Sequence, residues 1–169
     1  MKITSSQASK MLKKLNNDFN DLKNLESMSS TFLAAVGEDV ESVRPEYSYA
    51  ETRAKADELN ARIRKLKHAI NVFNSTTVIP EFGITIDEML VYIPQLNAKL
   101  YKLGQMKAIL PKQRQEIYGK SSTNLIDYKY ANYEVSDAER DYSVTADTLA
   151  RAQLALDYVN ANVTFEFEY

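Results

Sequence analysis

Apolar residues return along this chain at alternating steps of three and four. Ala56, Leu59, Ile63, Leu66, Ile70 and Phe73 follow that rule, which gathers them on one narrow helical stripe. Ala8, Met11 or Leu12, Leu15, Phe19 and Leu22 repeat it, as do Ile86, Met89 or Leu90, Ile93, Leu96, Leu100 and Leu103. A fourth set is Tyr142, Leu149, Ala152, Leu156 and Val159. Each set opens with a hydroxyl residue followed three places on by Glu or Gln: Thr4 and Gln7, Ser48 and Glu51, Thr85 and Glu88, Ser136 and Glu139. Such a pair satisfies two orphaned amides at a helix start. Four helices are therefore predicted, at 5–29, 49–74, 86–109 and 137–160.

A narrow seam on helices this long predicts a mainly α fold, a four-helix antiparallel bundle with coiled-coil-like helices. Pro94 falls inside the third helix, where it removes one backbone hydrogen bond and predicts a kink; Pro111 and Gly119 mark the exit from that helix. Two short segments alternate instead with period two. These are 126–134, with Tyr128, Tyr130 and Tyr133, and 163–168, with Phe165 and Phe167 between Glu166 and Glu168. A small two-strand β element is predicted from them, paired in parallel across the last helix or completed by another copy of the chain. The longest irregular piece is the loop 30–48. A length of 169 residues suits a single domain over the whole chain.

Composition narrows the chemistry. With no cysteine, thiolate catalysis, thiolate metal sites and disulfides are excluded, and a reducing, cytoplasmic setting is expected. No apolar run is long enough for a signal peptide or a membrane span. The sequence holds no glycine-rich phosphate loop, nucleophile elbow or paired-histidine metal motif. The lone His68 lies nearly opposite the seam, where side chains are normally wet. Asp87 with Glu88 reads as helix-start electrostatics, and Glu166 with Glu168 as an exposed strand face. A non-enzymatic protein without metal or cofactor is expected; an unrecognised hydrolase would have to use His68 or one of these carboxylate pairs.

The net charge is only −2, yet it is unevenly spread: −2 over residues 1–52, +6 over 53–120 and −6 over 121–169. In the basic middle, Arg53, Asn60, Arg64, Lys67, Asn71 and Asn74 fall in one band beside the seam, while Arg62 and Lys65 point elsewhere. Guanidinium and ammonium groups donate to phosphate or carboxylate, and asparagine both donates and accepts. The plainer reading is a solvated face making salt bridges. Tyrosine is in excess, eleven against no tryptophan. Tyr128, Tyr130 and Tyr133 with Asn132 are placed to stack on a planar ligand, although strand tyrosines more often serve packing. Arg44 and Tyr47, on the long loop, are placed to close over such a ligand. The negative net charge and the absence of a reading motif argue against nucleic acid.

The segments VRPEY at 43–47, RKLKHAINVFNSTTVIPEFGITIDEML at 64–90, LIDYKYANYEV at 125–135 and LALDYVN at 154–160 resemble those of a family of small uncharacterised bacterial and phage proteins called septicolysin-like. The resemblance runs from about residue 40 onward and implies a helical bundle with a small β element. It carries over no catalytic residue. Its label implies a toxin, whereas this chain has neither a tryptophan-rich membrane-binding loop nor the length of a cholesterol-dependent pore former. In size and style alone, the chain is also similar to phage anti-defence proteins that sequester nucleotide-derived signals between subunits. The leading expectation is a homo-oligomer that captures a small anionic, nucleotide-like ligand; the alternative is a helical module that binds a host protein.

Overall fold

The computed structural model describes residues 1–115 and 127–168, so Gly119 and the Leu125–Ile126 end of the first tyrosine segment lie outside the described residues. The chain is mainly helical with small two-stranded sheets. In order it forms β1 (Lys2–Thr4), α1 (Ser5–Ser29), α2 (Val40–Val43), α3 (Tyr49–Thr76), β2 (Val78–Ile79), β3 (Ile84–Thr85), α4 (Ile86–Lys107), β4 (Lys112–Arg114), β5 (Tyr128–Tyr130), α5 (Val135–Asn162) and β6 (Thr164–Glu166). The four long helices match the four apolar sets within about three residues at each end. Two of the four start signals are complete reciprocal boxes, Thr4 with Gln7 and Thr85 with Glu88. Ser48 caps α3 by accepting from the Glu51 amide. Ser136 is not a cap: α5 already begins at Val135, and the amides of Asp137 and Ala138 reach back to the Glu134 carbonyl. The long loop contains a helical turn that periodicity did not reveal, α2, capped by Asp39.

The strands correct the β prediction. Instead of one parallel pair, the described residues form three separate antiparallel sheets: β1 with β6, β2 with β3, and β4 with β5. Each tyrosine or phenylalanine strand found a partner too polar to announce itself, KQR for YKY and KIT for TFE. An antiparallel partner needs only a free edge and three residues of ladder, so no crossover is required.

The chain divides into two compact units. The first comprises Met1–Thr77 with Tyr158–Tyr169, the second Val78–Asp157. In the first, α1 and α3 run antiparallel and zip their seams together. Ile3, Ala8, Leu15, Ile63, Leu66 and Phe167 are buried in one cluster, flanked by Met11, Leu12, Phe19, Leu59 and Ile70. Sheet β1–β6 closes the end where α1 starts: the Met1 ammonium donates to the Phe167 carbonyl at 2.7 Å, and Phe165 stacks on Phe73 at 4.7 Å. In the second unit the β2–β3 hairpin turns over Gly83, whose φ of 67° is a conformation other residues resist, and leads into α4. Pro94 lies within α4, which continues to Lys107. Helix α5 returns alongside α4, so that Tyr142 meets Gly104 and Lys107 at one end and Arg151 meets Glu81 and Phe82 at the other.

Candidate functional site

Two places in the described residues combine accessible surface with chemistry, one in each unit. The first is the end of the α1–α3 pair nearest the long loop. There the seam ends: α3 offers Thr52 and Ala56 as buried residues, the α1 position after Leu22 on the stripe is Glu26, and Leu25 and Met28 lie off the stripe and exposed. Burial along α1 falls accordingly. Leu15 is 8% exposed, Leu25 56% and Met28 81%. Grooves open around this end. One of about 380 Å³ is floored by Leu22, Leu25 and Leu59 and rimmed by Asp18, Asp21, Glu58, Lys55 and Arg62. Another, about 300 Å³, is floored by Phe19, Leu22 and Ala56 and rimmed by Lys23, Glu26, Arg53, Asp57 and Asn60. An apolar floor with rims of both signs suits a peptide or helix surface better than a phosphate, which would meet as many carboxylates as cations.

The residues expected to capture an anion are partly committed elsewhere. Arg53 pairs with Glu26, and the Tyr47 hydroxyl donates to the same carboxylate at 3.3 Å. The Arg53–Glu26 hydrogen bond, then the carboxylate's charge, holds the Arg53 guanidinium more firmly protonated than usual; burial, then Glu26, raises the Tyr47 phenol. Arg44 pairs with Glu41 at 2.7 Å and lies over the Phe32 ring. Arg44 and Tyr47 thus fasten the loop to itself and to α1, and Tyr47 also lines a cavity of about 460 Å³ with Leu22, Leu25, Thr52 and Lys55. Because α3 is unbroken, Arg53, Asn60, Arg64, Lys67, Asn71 and Asn74 do share a flank. Arg64, Lys67 and Asn71 are exposed and make no hydrogen bond or ion pair with any described residue. Asn74 is half-buried, its Oδ1 enclosed without a described partner. His68, Glu166 and Glu168 are exposed as well.

The second place is the β4–β5 hairpin. Tyr128 and Tyr130 are 46% and 61% exposed, with ring centroids 6.4 Å apart. The Lys112 ammonium lies 4.2 Å from the first ring and 5.6 Å from the second. Tyr133 is half-buried, and its hydroxyl donates to the Met106 carbonyl at 2.7 Å, which ties the hairpin's exit to the end of α4. Asn132 is exposed. Sequence reasoning found the tyrosines and missed Lys112 and Arg114, because the strand that carries them has no apolar residue to reveal it.

Among the described residues no group of three His, Cys, Asp or Glu could hold a metal ion, and no helix is long and apolar enough to cross a membrane. No protein-family model matches the chain, and no curated protein does. A solved structure is similar: the crystal structure of a functionally unknown conserved protein from Corynebacterium diphtheriae, 18% identical, with a TM-score of 0.60 over 98% of this chain and 100% of that chain. At that identity the likeness shows the fold alone.

Proposed function

We propose that the protein is a non-enzymatic helical interaction module that assembles with a second copy through the loop end of its α1–α3 pair. The observation that carries this reading is the uncovered apolar patch at the loop end of α1, where Leu25 lines a groove with Leu22 and Leu59, and Leu25 and Met28 are 56% and 81% exposed. A contiguous apolar face with charged rims is the usual mark of a protein-binding surface. Two such ends laid together would form an antiparallel four-helix bundle, the arrangement that the narrow seams favour. The mixed rims suit a two-fold pairing, in which Asp18, Asp21 and Glu58 of one copy face Lys55 and Arg62 of the other. Light scattering after size exclusion tests the reading. A dimer is expected, and Leu25→Glu with Met28→Glu should give a monomer of unchanged helical circular dichroism. A wild-type monomer at about 100 μM, well above a typical micromolar dissociation constant, would overturn it.

A second reading has its own support in Arg64, Lys67 and Asn71, which no described residue engages. Capture of a small anionic, nucleotide-like signal, as in phage anti-defence, would use this flank. Calorimetry with a panel of cyclic nucleotides tests it: heat with the native chain that is lost in Arg64→Ala supports it, and no heat at tens of micromolar removes it. Membership of the septicolysin-like proteins belongs with these proposals and rests on the four sequence segments that carry the resemblance.

A further inference from the structure

The β4–β5 hairpin presents one face of unusual composition. Residues directly opposite each other on antiparallel strands share a face, as do residues two apart on one strand. The register pairs Lys112 with Tyr130 and Arg114 with Tyr128. All four therefore project from one side, two cations alternating with two phenol rings, while Gln113 and Lys129 occupy the other. All four are exposed. The ladder is continued beyond both ends of the strands, by the Gln115 amide to the Asp127 carbonyl at 2.8 Å and the Ala131 amide to the Pro111 carbonyl at 3.1 Å. These bonds join the two strands to each other, and the Tyr133 hydroxyl ties the hairpin's exit to Met106 of α4.

The rings are set in position as well. The Lys112 ammonium sits over both, and a cation over an aromatic face is attracted to the ring quadrupole. The described sequence around the strands strengthens the local field: residues 107–115 and 127–129 contain four Lys or Arg against one Asp. Net charge over the whole chain conceals this concentration, and it is local charge that a polyanion meets within a Debye length of about 8–10 Å.

We propose that the Lys112–Arg114–Tyr128–Tyr130 face binds single-stranded nucleic acid without sequence preference, the tyrosines stacking on two bases and the cations contacting the phosphates between them. Rings and positive charges in alternation are what a strand needs, because every base has a π face and every link a phosphate. An open face also suits a strand better than a lone nucleotide, whose sites are usually concave. The site is independent of the assembly proposed for the first unit.

Fluorescence anisotropy of a labelled oligothymidylate of about ten nucleotides, within the usual site size, tests the proposal on the full chain. Binding is expected, with a slope of log affinity against log salt near −1.4 for two phosphate contacts on a single strand. Tyr130→Ala should weaken it about 5- to 100-fold, the loss of one stacked base, while Tyr130→Phe keeps the ring and most of the affinity. Lys112→Ala combined with Arg114→Ala should flatten the salt slope. Absence of binding at tens of micromolar in low salt would overturn the proposal, as would equal affinity for Tyr130→Ala. Binding of dTMP as tight as the oligomer would point to a small-ligand site instead, and equal competition by polyglutamate would point to charge alone; each result would also overturn it.

Discussion

The two helical pairs of this chain carry the same kind of apolar repeat and close in different ways. Between α1 and α3 the repeat is used as an aliphatic zipper, with Leu15, Ile63 and Leu66 buried together. The second unit also buries Met89, Leu96, Leu149 and Ala152, and adds contacts of another kind: Tyr142 against Gly104 and under Lys107, and Arg151 joined to Glu81 of the β2–β3 turn at 2.7 Å. Thr145 is buried where the α5 repeat skips an apolar residue. The lesson is that period fixes which face turns inward, and side-chain size and chemistry decide what holds it there. The zipper ends where small and polar residues take the stripe, Thr52 and Ala56 on α3 and Glu26 on α1, and the exposed Leu25 and Met28 beside that end form the surface we assign to assembly.

The largest expected effect is in the zipper. Leu66 is fully buried, and Leu66→Ala should cost about 2–5 kcal/mol in urea unfolding through lost contacts and a residual cavity. A loss below 1 kcal/mol would mean that the α1–α3 interface collapses freely around the gap. The start signals give the next contrast. Thr85→Ala, which breaks a complete box, should cost about 1 kcal/mol, whereas Ser136→Ala, one residue inside α5, should stay within about 0.5 kcal/mol. Equal losses would restore Ser136 as a cap.

Gly104→Ala sharpens the comparison from the other side. The added Cβ would lie 3.4 Å from Tyr142 Cε2, at the near edge of ordinary contact, and alanine is the better helix former by up to about 1 kcal/mol. A small stabilisation is expected in thermal unfolding. Destabilisation would show that the close approach of Tyr142 requires glycine.

The smallest effect is a pH dependence. Hydrogen bonds from the Thr85 backbone and then its hydroxyl lower the Glu88 pKa. Its contribution to stability is fully present above the ordinary glutamate value of about 4.3 and is lost as pH falls through the lower folded value. Glu88→Gln should remove that part of the acid dependence and leave stability near neutrality little changed.

The helices were legible because a period of three and four survives the replacement of one apolar residue by another. Their ends were legible where a hydroxyl and a carboxylate cooperate, as at Thr85 and Glu88, and misplaced where the same letters sit one turn position too late, as at Ser136. Strand pairing was hidden because KQR and KIT carry almost no apolar signal, so the partners of YKY and TFE could not be read from alternation. Lys112 and Arg114 went unseen at the tyrosine face for the same reason. The common flank of Arg53 to Asn74 was legible from helix geometry alone. What no period can show is that Arg53 and Tyr47 are both spent on Glu26, since that contact joins residues more than twenty places apart.

The most direct test of assembly through the loop end uses the absence of cysteine from the chain. Single Met28→Cys and Lys10→Cys variants, labelled with pyrene maleimide, place one probe at the uncovered end of α1 and one near its capped start. Excimer emission from the Met28→Cys protein, rising with concentration and absent from Lys10→Cys, is the predicted result. Monomer emission alone from Met28→Cys at every concentration would contradict the pairing.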